Sequence, residues 1–328
     1  MRKVMWLRTK REDKGQKLDW VVVWPLISFL VALIAIAVYG FQPDALAAWT
    51  VWPPGVTAVI WLIVPLLRRP STWRKIALIP VVPWVAFLLA YGDEWRAIVP
   101  HSVPSTELHV VTLNCAGGML EAVREAVDTG ADIVLLQESP GPDELQDLVA
   151  DLPDGYSVVS GIDASVIARG DLTVVLQEQN FTMVRFSRGD DLQLDIVSLR
   201  MVPPVLRMDY WNPNCWRAYA EDRRRHRAEL AEIWTAVDKV RSERPLILGG
   251  DFNVVPVRNV TALLEHAGLQ DAWSAAGRGW YATMLNSAPV VRIDRIWASG
   301  ELRPKLAKVK KTKYSDHRMV EAWFDVQR

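Results

Sequence analysis

Two patterns of hydrophobic positions divide the chain. Up to residue 92 the apolar residues come in unbroken runs: 22 residues without a charge from Trp20 to Phe41, 23 over 45–67 and 17 over 76–92. The first two are long enough to cross a bilayer as helices. The third carries Pro80 and Pro83 and is read as a further span, because proline is tolerated in membrane helices. Beyond residue 107 the runs shorten and alternate with turn residues. Strands are predicted over 108–113, 131–136, 156–159, 164–169, 172–176, 181–186 and 192–199 from their β-branched and apolar content. A helix is predicted over 223–240, where Leu230, Ile233, Trp234 and Val237 recur at three-and-four spacing. Shorter helices are expected over 121–128 and 260–267, and further strands over 290–297 and 319–324 with a turn at 314–317 before the last. Many short strands at close spacing predict sheet packed on sheet in an α/β domain.

Charge sharpens this division. The chain is neutral overall, yet residues 1–92 hold 11 Lys and Arg against 4 Asp and Glu, and residues 93–328 hold 27 against 34. Seven of those basic residues lie in positions 1–19 and four more in the 68–75 loop, while the turn around Gln42, Pro43 and Asp44 has none. The positive-inside rule then makes the N-terminus and the 68–75 loop cytoplasmic, and three spans leave everything after Gly92 outside. Were the third run not to span, the large domain would be cytoplasmic. The length of the first run and the apolar runs behind it favour an uncleaved anchor over a signal peptide. The expected organisation is a basic cytoplasmic segment (1–19), a three-helix transmembrane region (20–92), a linker with Pro100 and Pro104 (93–107) and one large domain (108–328), held in the cell (inner) membrane with that domain extracytoplasmic. No feature points to a protein partner.

The candidate chemistry stands at strand ends. The run 245–248 reads as a buried strand, followed by Gly249 and Gly250, which are expected to turn the backbone and present Asp251 and Asn253 on one face. By itself this is as well explained by a turn closed by an Asx hydrogen bond. Four other strand ends carry Asn114, Glu138, Asp294, and Asp316 with His317. Acid, amide and imidazole groups with so little cysteine suit a hard, oxygen-liganded ion such as magnesium better than zinc. A histidine beside carboxylates serves as general base or holds a phosphate, with Asp294 setting its tautomer. The basic start of the 223–240 helix, Arg223 to Arg227, opposes the helix dipole and is read as a solvated face or an anion contact.

The order of these motifs resembles the endonuclease/exonuclease/phosphatase family, the deoxyribonuclease I-like fold, as a membrane-anchored bacterial-type member. The likeness spans about 108–326: a first strand ending in Asn114, Leu136-Gln137-Glu138, Gly250-Asp251-Phe252-Asn253, Arg292-Ile293-Asp294-Arg295 and Ser315-Asp316-His317. It implies a four-layer α/β sandwich and a metal-dependent phosphoric ester hydrolase using Mg2+ or Mn2+. Glu138 would hold the metal with Asn114 beside it and Asp316 completing the shell. Asp251 and Asn253 would orient the attacking water or the phosphate, and His317, paired with Asp294, would contact or activate the phosphoryl group. Asn114 and Asn253 would also touch the phosphate.

One position departs from the pattern. Arg200 falls where many relatives end the middle strand with histidine. Arginine donates a fork of hydrogen bonds to a phosphate but cannot act as acid or base at neutral pH, so leaving-group protonation falls to another group or the protein is catalytically weak. A nuclease-like phosphodiesterase or phosphatase is the leading expectation, with a lipid head-group phosphoesterase or a non-catalytic phosphate-ligand-binding domain as alternatives. The domain's net negative charge opposes indiscriminate nucleic-acid binding. Arg303, Lys305, Lys308, Lys310, Lys311 and Lys313 either track a polyanion or form a solvated edge, and the aromatic stretch 210–216 stacks bases, touches lipid or packs in a core. Cys115 and Cys215, the only cysteines, are expected near the site, and an outward-facing domain permits a bridge between them.

Overall fold

Alternation of side chains along the strands generates the architecture. In β1 (Leu108–Asn114), Leu108 and Val110 belong to one core and Val111 and Leu113 to another. In β8 (Leu246–Asp251), Ile247 joins the first core, whereas Leu246 and Leu248 join a third. Both strands are therefore apolar on each face, and each sheet must be covered twice. The computed structural model describes residues 20–67, 79–153, 155–189, 192–255 and 258–327.

The other strands are β2 (Ile133–Gln137), β3 (Tyr156–Val159), β4 (Ala164–Arg169), β5 (Asp171–Gln177), β6 (Phe181–Arg188), β7 (Leu192–Arg200), β9 (Gln270–Asp271), β10 (Asp294–Ala298), β11 (Leu302–Lys310) and β12 (Met319–Val326). They form two six-stranded sheets, ordered β11-β12-β1-β2-β4-β3 and β5-β6-β7-β8-β10-β9. Leu135, Val166, Val184, Ile196, Ile247 and Ile296 fill the space between them; truncating one such residue to alanine costs about 2–5 kcal/mol. Helices α5 (Leu120–Val127) and α6 (Pro142–Ala150) cover the outer face of the first sheet, with Val123, Ala126, Leu145 and Leu148 buried there. Helices α7 (Pro213–Val240) and α8 (Arg258–His266) cover the second through Leu230, Ile233, Val237 and Leu264. The short α9 (Ala272–Ala276) is capped by Asp271. This is the expected four-layer sandwich.

The apolar N-terminal region differs from expectation. Helix α1 (Trp20–Phe41) forms as read. The 45–67 run instead breaks into a 3-10 turn (Asp44–Leu46), α2 (Ala47–Thr50) and α3 (Pro54–Leu67), bent by 70°. Pro53 and Pro54 supply no N–H and disfavour helix in the residue before them, so the break falls there. Helix α4 (Val81–Tyr91) follows Pro80 and has 11 residues, roughly 16 Å of rise against a hydrocarbon core of about 30 Å. Among the described residues one helix, Val23–Phe41, is long and apolar enough to cross a membrane, and the bent pair makes at most a second. The three long spans are thus corrected to one, or two if the bent pair crosses, among the described residues. The basic segments 1–19 and 68–75 lie outside the described residues.

The sandwich is clamped to this region. The Gln42 carbonyl accepts from Arg223 Nη1 (3.0 Å) and Asn259 Nδ2 (3.0 Å), and the Asp44 carboxylate takes both Arg227 Nη1 (2.8 Å) and Nη2 (2.6 Å). Arg223 and Arg227 thus have the 42–50 turn as their partner, whereas Arg224 and Arg225 are exposed, as a solvated face requires. The 93–107 segment is only partly a linker, because it forms a 3-10 turn (Glu94–Ile98) whose Arg96 donates to the carbonyls of Gly277 (3.2 Å) and Ser274 (3.0 Å).

Candidate active site

Strand register brings the polar strand ends to one rim. Asn114 pairs with Gln137 across β1 and β2, Arg200 with Asp251 across parallel β7 and β8, and Asp294 with Asp251 across β10 and β8. Gly249 and Gly250 lie inside β8 and do not turn it, which corrects the expectation. A Cβ on Gly250 would meet the Leu199 carbonyl oxygen at 1.9 Å, and one on Gly249 would meet Leu135 Cδ1 at 2.7 Å. They are needed for close approach of β7 and of the facing sheet. Two residues beyond the strands, Glu138 (φ 47°) and Asn253 (φ 52°), occupy the left-handed region, a costly conformation for residues with side chains that concentrates at functional sites.

Asn114 ties the sheets together at this rim. Its Nδ2 donates to Glu138 Oε1 (3.0 Å) and Asp251 Oδ2 (3.1 Å), and its Oδ1 accepts from the Ala116 amide (2.9 Å). Asp251 Oδ1 accepts from the Asn253 amide (2.9 Å), so the Asx turn and the polar site coexist, and Asn253 Nδ2 donates to the Met201 carbonyl (2.7 Å). His317 Nδ1 lies 3.0 Å from Asp294 Oδ2, which fixes the Nδ1–H tautomer and leaves Nε2 facing the site. Asp251, Asp294 and His317 are all buried, with ligand atoms within 4.8 Å of one another.

Electrostatics make this cluster attractive to a cation. Burial, then the adjacent Asp294 charge, raises the Asp251 pKa well above the usual carboxylate range. Burial opposes protonation of His317, yet the Asp294 charge and hydrogen bond, with Asp251, push its pKa up. Burial likewise opposes ionisation of Glu138, but the Asn114 hydrogen bond and the Arg200 charge hold its carboxyl low. The donor set is oxygen-rich and acidic, so these residues fit a hard divalent cation. Asp316 does not join them: it is exposed, whereas Ser315 and His317 beside it are buried.

Arg200 reaches the site but engages protein carboxylates. Its Nη2 contacts Glu138 Oε1 at 2.7 Å and its Nη1 contacts Asp163 Oδ2 at 3.3 Å. Several positioning residues carried no sequence signal of their own. Ser315 Oγ donates to the Asn114 carbonyl (2.7 Å) and accepts from the His317 amide (2.9 Å). Thr283 Oγ1 accepts from the Asp294 amide (3.2 Å), and Gln137 bridges Thr112 and Ser198 between the sheets. Gln137 and Ser315 stand within recognised motifs, while Asp163 and Thr283 come from loops distant in sequence. The flanking Arg292 and Arg295 turn away from the site onto Asp271.

Both cysteines are free and buried, so the expected bridge is corrected. Cys115 packs beneath α5, where burial raises its thiol pKa, and Cys215 packs against Ala47 and Ala48.

The family model for the endonuclease/exonuclease/phosphatase family matches residues 111–317. No curated protein matches the sequence. Among solved structures, the endonuclease/exonuclease/phosphatase from Bacteroides vulgatus is 16% identical, with a TM-score of 0.53 over 68% of this chain and 100% of that one. Beta toxin from Staphylococcus aureus is 11% identical, with a TM-score of 0.51 over 66% and 99%. A humanized D. rerio TDP2 is 16% identical, with a TM-score of 0.50 over 68% and 100%. At these identities the likeness establishes the fold. With the family model spanning most of the sandwich and every strand-end motif in order, the chain belongs to the endonuclease/exonuclease/phosphatase family.

Proposed function

We propose that this chain is a divalent-metal-dependent phosphoesterase that hydrolyses phosphodiester or phosphomonoester bonds, of nucleic acid or of a lipid head group, on the outer side of the cell membrane. The observation that carries the reading is the buried array of Asp251, Asp294 and His317 beside Asn114 and Glu138, two buried carboxylates against one imidazole. Glu138, with Asn114 beside it, would hold Mg2+ or Mn2+, which supplies charge stabilisation to the phosphate oxygens when bound. His317, its Nδ1 held by Asp294, directs Nε2 at the phosphoryl group and as imidazolium donates a hydrogen bond to the oxygen where charge develops. Asp251, with its raised proton affinity, accepts the proton of the attacking water, and Asn114 keeps it oriented.

Membrane attachment through α1 is the second part of the proposal. Two observations support an outer sandwich: seven basic residues precede α1 in positions 1–19, and the 42–50 turn after α1, which lacks basic residues, is bonded to α7 through Arg223 and Arg227. A turn and a domain in contact share one side of the membrane.

The test is turnover by the full-length protein in detergent on single-stranded DNA, RNA, sphingomyelin, phosphoinositides and an aryl phosphodiester, with Mg2+ or Mn2+, alongside Asp251→Ala and His317→Ala. Cleavage of at least one substrate, abolished by chelation and by both substitutions, is expected; no cleavage of any ends the proposal. Arg200 on Glu138 motivates a second reading, a phosphate-ligand-binding domain without turnover. It would be favoured by a ligand that binds wild type and Glu138→Ala equally.

A further inference from the structure

The connection from β7 to α7 starts in the active site and ends beside the membrane helices. At its start the Met201 amide donates to the Asp251 carbonyl (2.8 Å) and the Met201 carbonyl accepts from Asn253 Nδ2 (2.7 Å). At its end Tyr210 lies 6.0 Å from Trp52 between ring centroids, and Trp52 occupies the break where the chain enters α3. Between these points the usual polarity of a surface loop is inverted. Leu206, Met208 and Trp211 are 76%, 68% and 85% exposed, while the polar residues between them are turned to one another, Arg207 Nε donating to Asp209 Oδ1 at 2.9 Å.

The loop is also held in place. The Tyr219 hydroxyl donates to the Arg207 carbonyl (2.8 Å) and accepts from the Arg207 amide (3.0 Å); the Val205 amide donates to Asp222 (3.2 Å), and Trp216 Nε1 donates to the Tyr210 carbonyl (2.8 Å). Side chains of α7 thus hold the Val205 amide, both main-chain groups of Arg207 and the Tyr210 carbonyl, and the loop turns Leu206, Met208 and Trp211 outward. Three large apolar side chains exposed together on one loop mark an interaction surface and not an ordinary water-facing one. A lipid interface fits, because it rewards apolar and aromatic side chains and penalises unpaired charge and backbone. Continuity with Trp52 at a helix end identifies the occupant as the bilayer bearing this protein's own α1. From Met201 to Leu206 the chain spans at most about 18 Å, so the active-site rim follows wherever this edge is held.

We propose that Leu206, Met208 and Trp211 enter the lipid interface and turn the active site toward the bilayer, so that the phosphate ester it hydrolyses is carried by a lipid. The substrate part rests on the phosphoesterase reading above; the membrane contact does not. The full-length protein is reconstituted in vesicles of phosphatidylethanolamine and phosphatidylglycerol, with nitroxide labels attached through Met208→Cys or Trp211→Cys and, as a water-facing control, Arg217→Cys. Expected is preferential collision with oxygen at 208 and 211 and with a water-soluble nickel chelate at 217; preference for the chelate at both loop positions overturns the contact. In the same vesicles, Leu206→Ser/Met208→Ser/Trp211→Ser is expected to lose at least tenfold in hydrolysis of the lipid phosphodiester while staying within twofold on a soluble aryl phosphodiester. Equal loss on both substrates, no loss on either, or a wild type that cleaves only nucleic acid in solution overturns the orientation. A wild type inactive on every substrate ends the phosphoesterase reading, and the labels still decide the contact.

Discussion

Asp294 and Arg295 are neighbours on β10 and serve two buried ionic clusters on opposite faces of one sheet. On the inner face two carboxylates, Asp251 and Asp294, share one imidazole, His317. On the outer face one carboxylate, Asp271, is shared by two guanidinium groups, Arg292 at 2.8 Å and Arg295 at 3.1 Å, and also accepts from the Trp273 amide (2.9 Å). Both clusters are buried and both are unbalanced, in opposite senses. In the outer one the acid is saturated by donors and fastens the 292–295 segment to α9. The inner one keeps unused oxygen acceptors at the rim and raises the proton affinity of its own Asp251. Buried charge is costly in either place; the inner cluster, with its excess of carboxylate, is the one a cation relieves.

The comparison predicts opposite consequences for removing an acid. His317→Ala or Asp251→Asn is expected to lower turnover on the order of a thousandfold, with the metal-free thermal midpoint of Asp251→Asn unchanged or raised, because one of two repelling carboxylates is gone. A fall in that midpoint equal to that of an outer-cluster variant breaks the comparison. Asp271→Asn strands two buried cations and is expected to cost about 3–5 kcal/mol of stability, read from denaturant midpoints, with kcat changed far less than by Asp251→Asn.

Acid sharpens the contrast next. Burial opposes ionisation of Asp271, but the charges of Arg292 and Arg295 bring its pKa down to about 2, below the unfolded value of about 3.9. A carboxylate depressed in the folded state contributes its full stability above the unfolded pKa and loses it as pH falls through the folded one. Wild type should therefore lose stability between about pH 4 and pH 2 that Asp271→Asn has already forfeited, so the two denaturation midpoints converge on acidification. A constant gap across that window contradicts the assignment. The smallest effect concerns Arg200. Freeing Glu138 from a cation 2.7 Å away by Arg200→Ala should lower the half-saturating Mg2+ concentration by roughly three- to tenfold, measured by titrating activity; a higher requirement would mean that Arg200 helps to build the site.

How much was legible depended on how local the cause was. Strands 156–159 and 164–169 coincide with β3 and β4, because β-branched residues bounded by turn formers decide them locally. The strand read over 290–297 begins only at Asp294, since Arg292 is drawn off to Asp271, 21 residues away in the chain. Helix α7 starts at Pro213, ten residues before the predicted 223, where Asn212 caps it and Pro213 takes its first position; the aromatic content of 210–216 masks those signals. Helix α6 lies outside the predicted elements although Pro142 and Glu144 stand in its first turn.

The sequence by itself determined the sheet-on-sheet class and the order of the five strand-end motifs, because period-two alternation and motif order are properties of the chain read locally. Tertiary structure alone decided which polar residues meet. It left Asp316 exposed, gave Arg200 to Glu138, sent Arg292 and Arg295 to the far face and gave Arg223 and Arg227 a partner in the turn after α1. It also kept Cys115 and Cys215 apart in separate cores. Long side chains choose among partners by distance and burial, and those are fixed only when the two sheets and the N-terminal helices have packed.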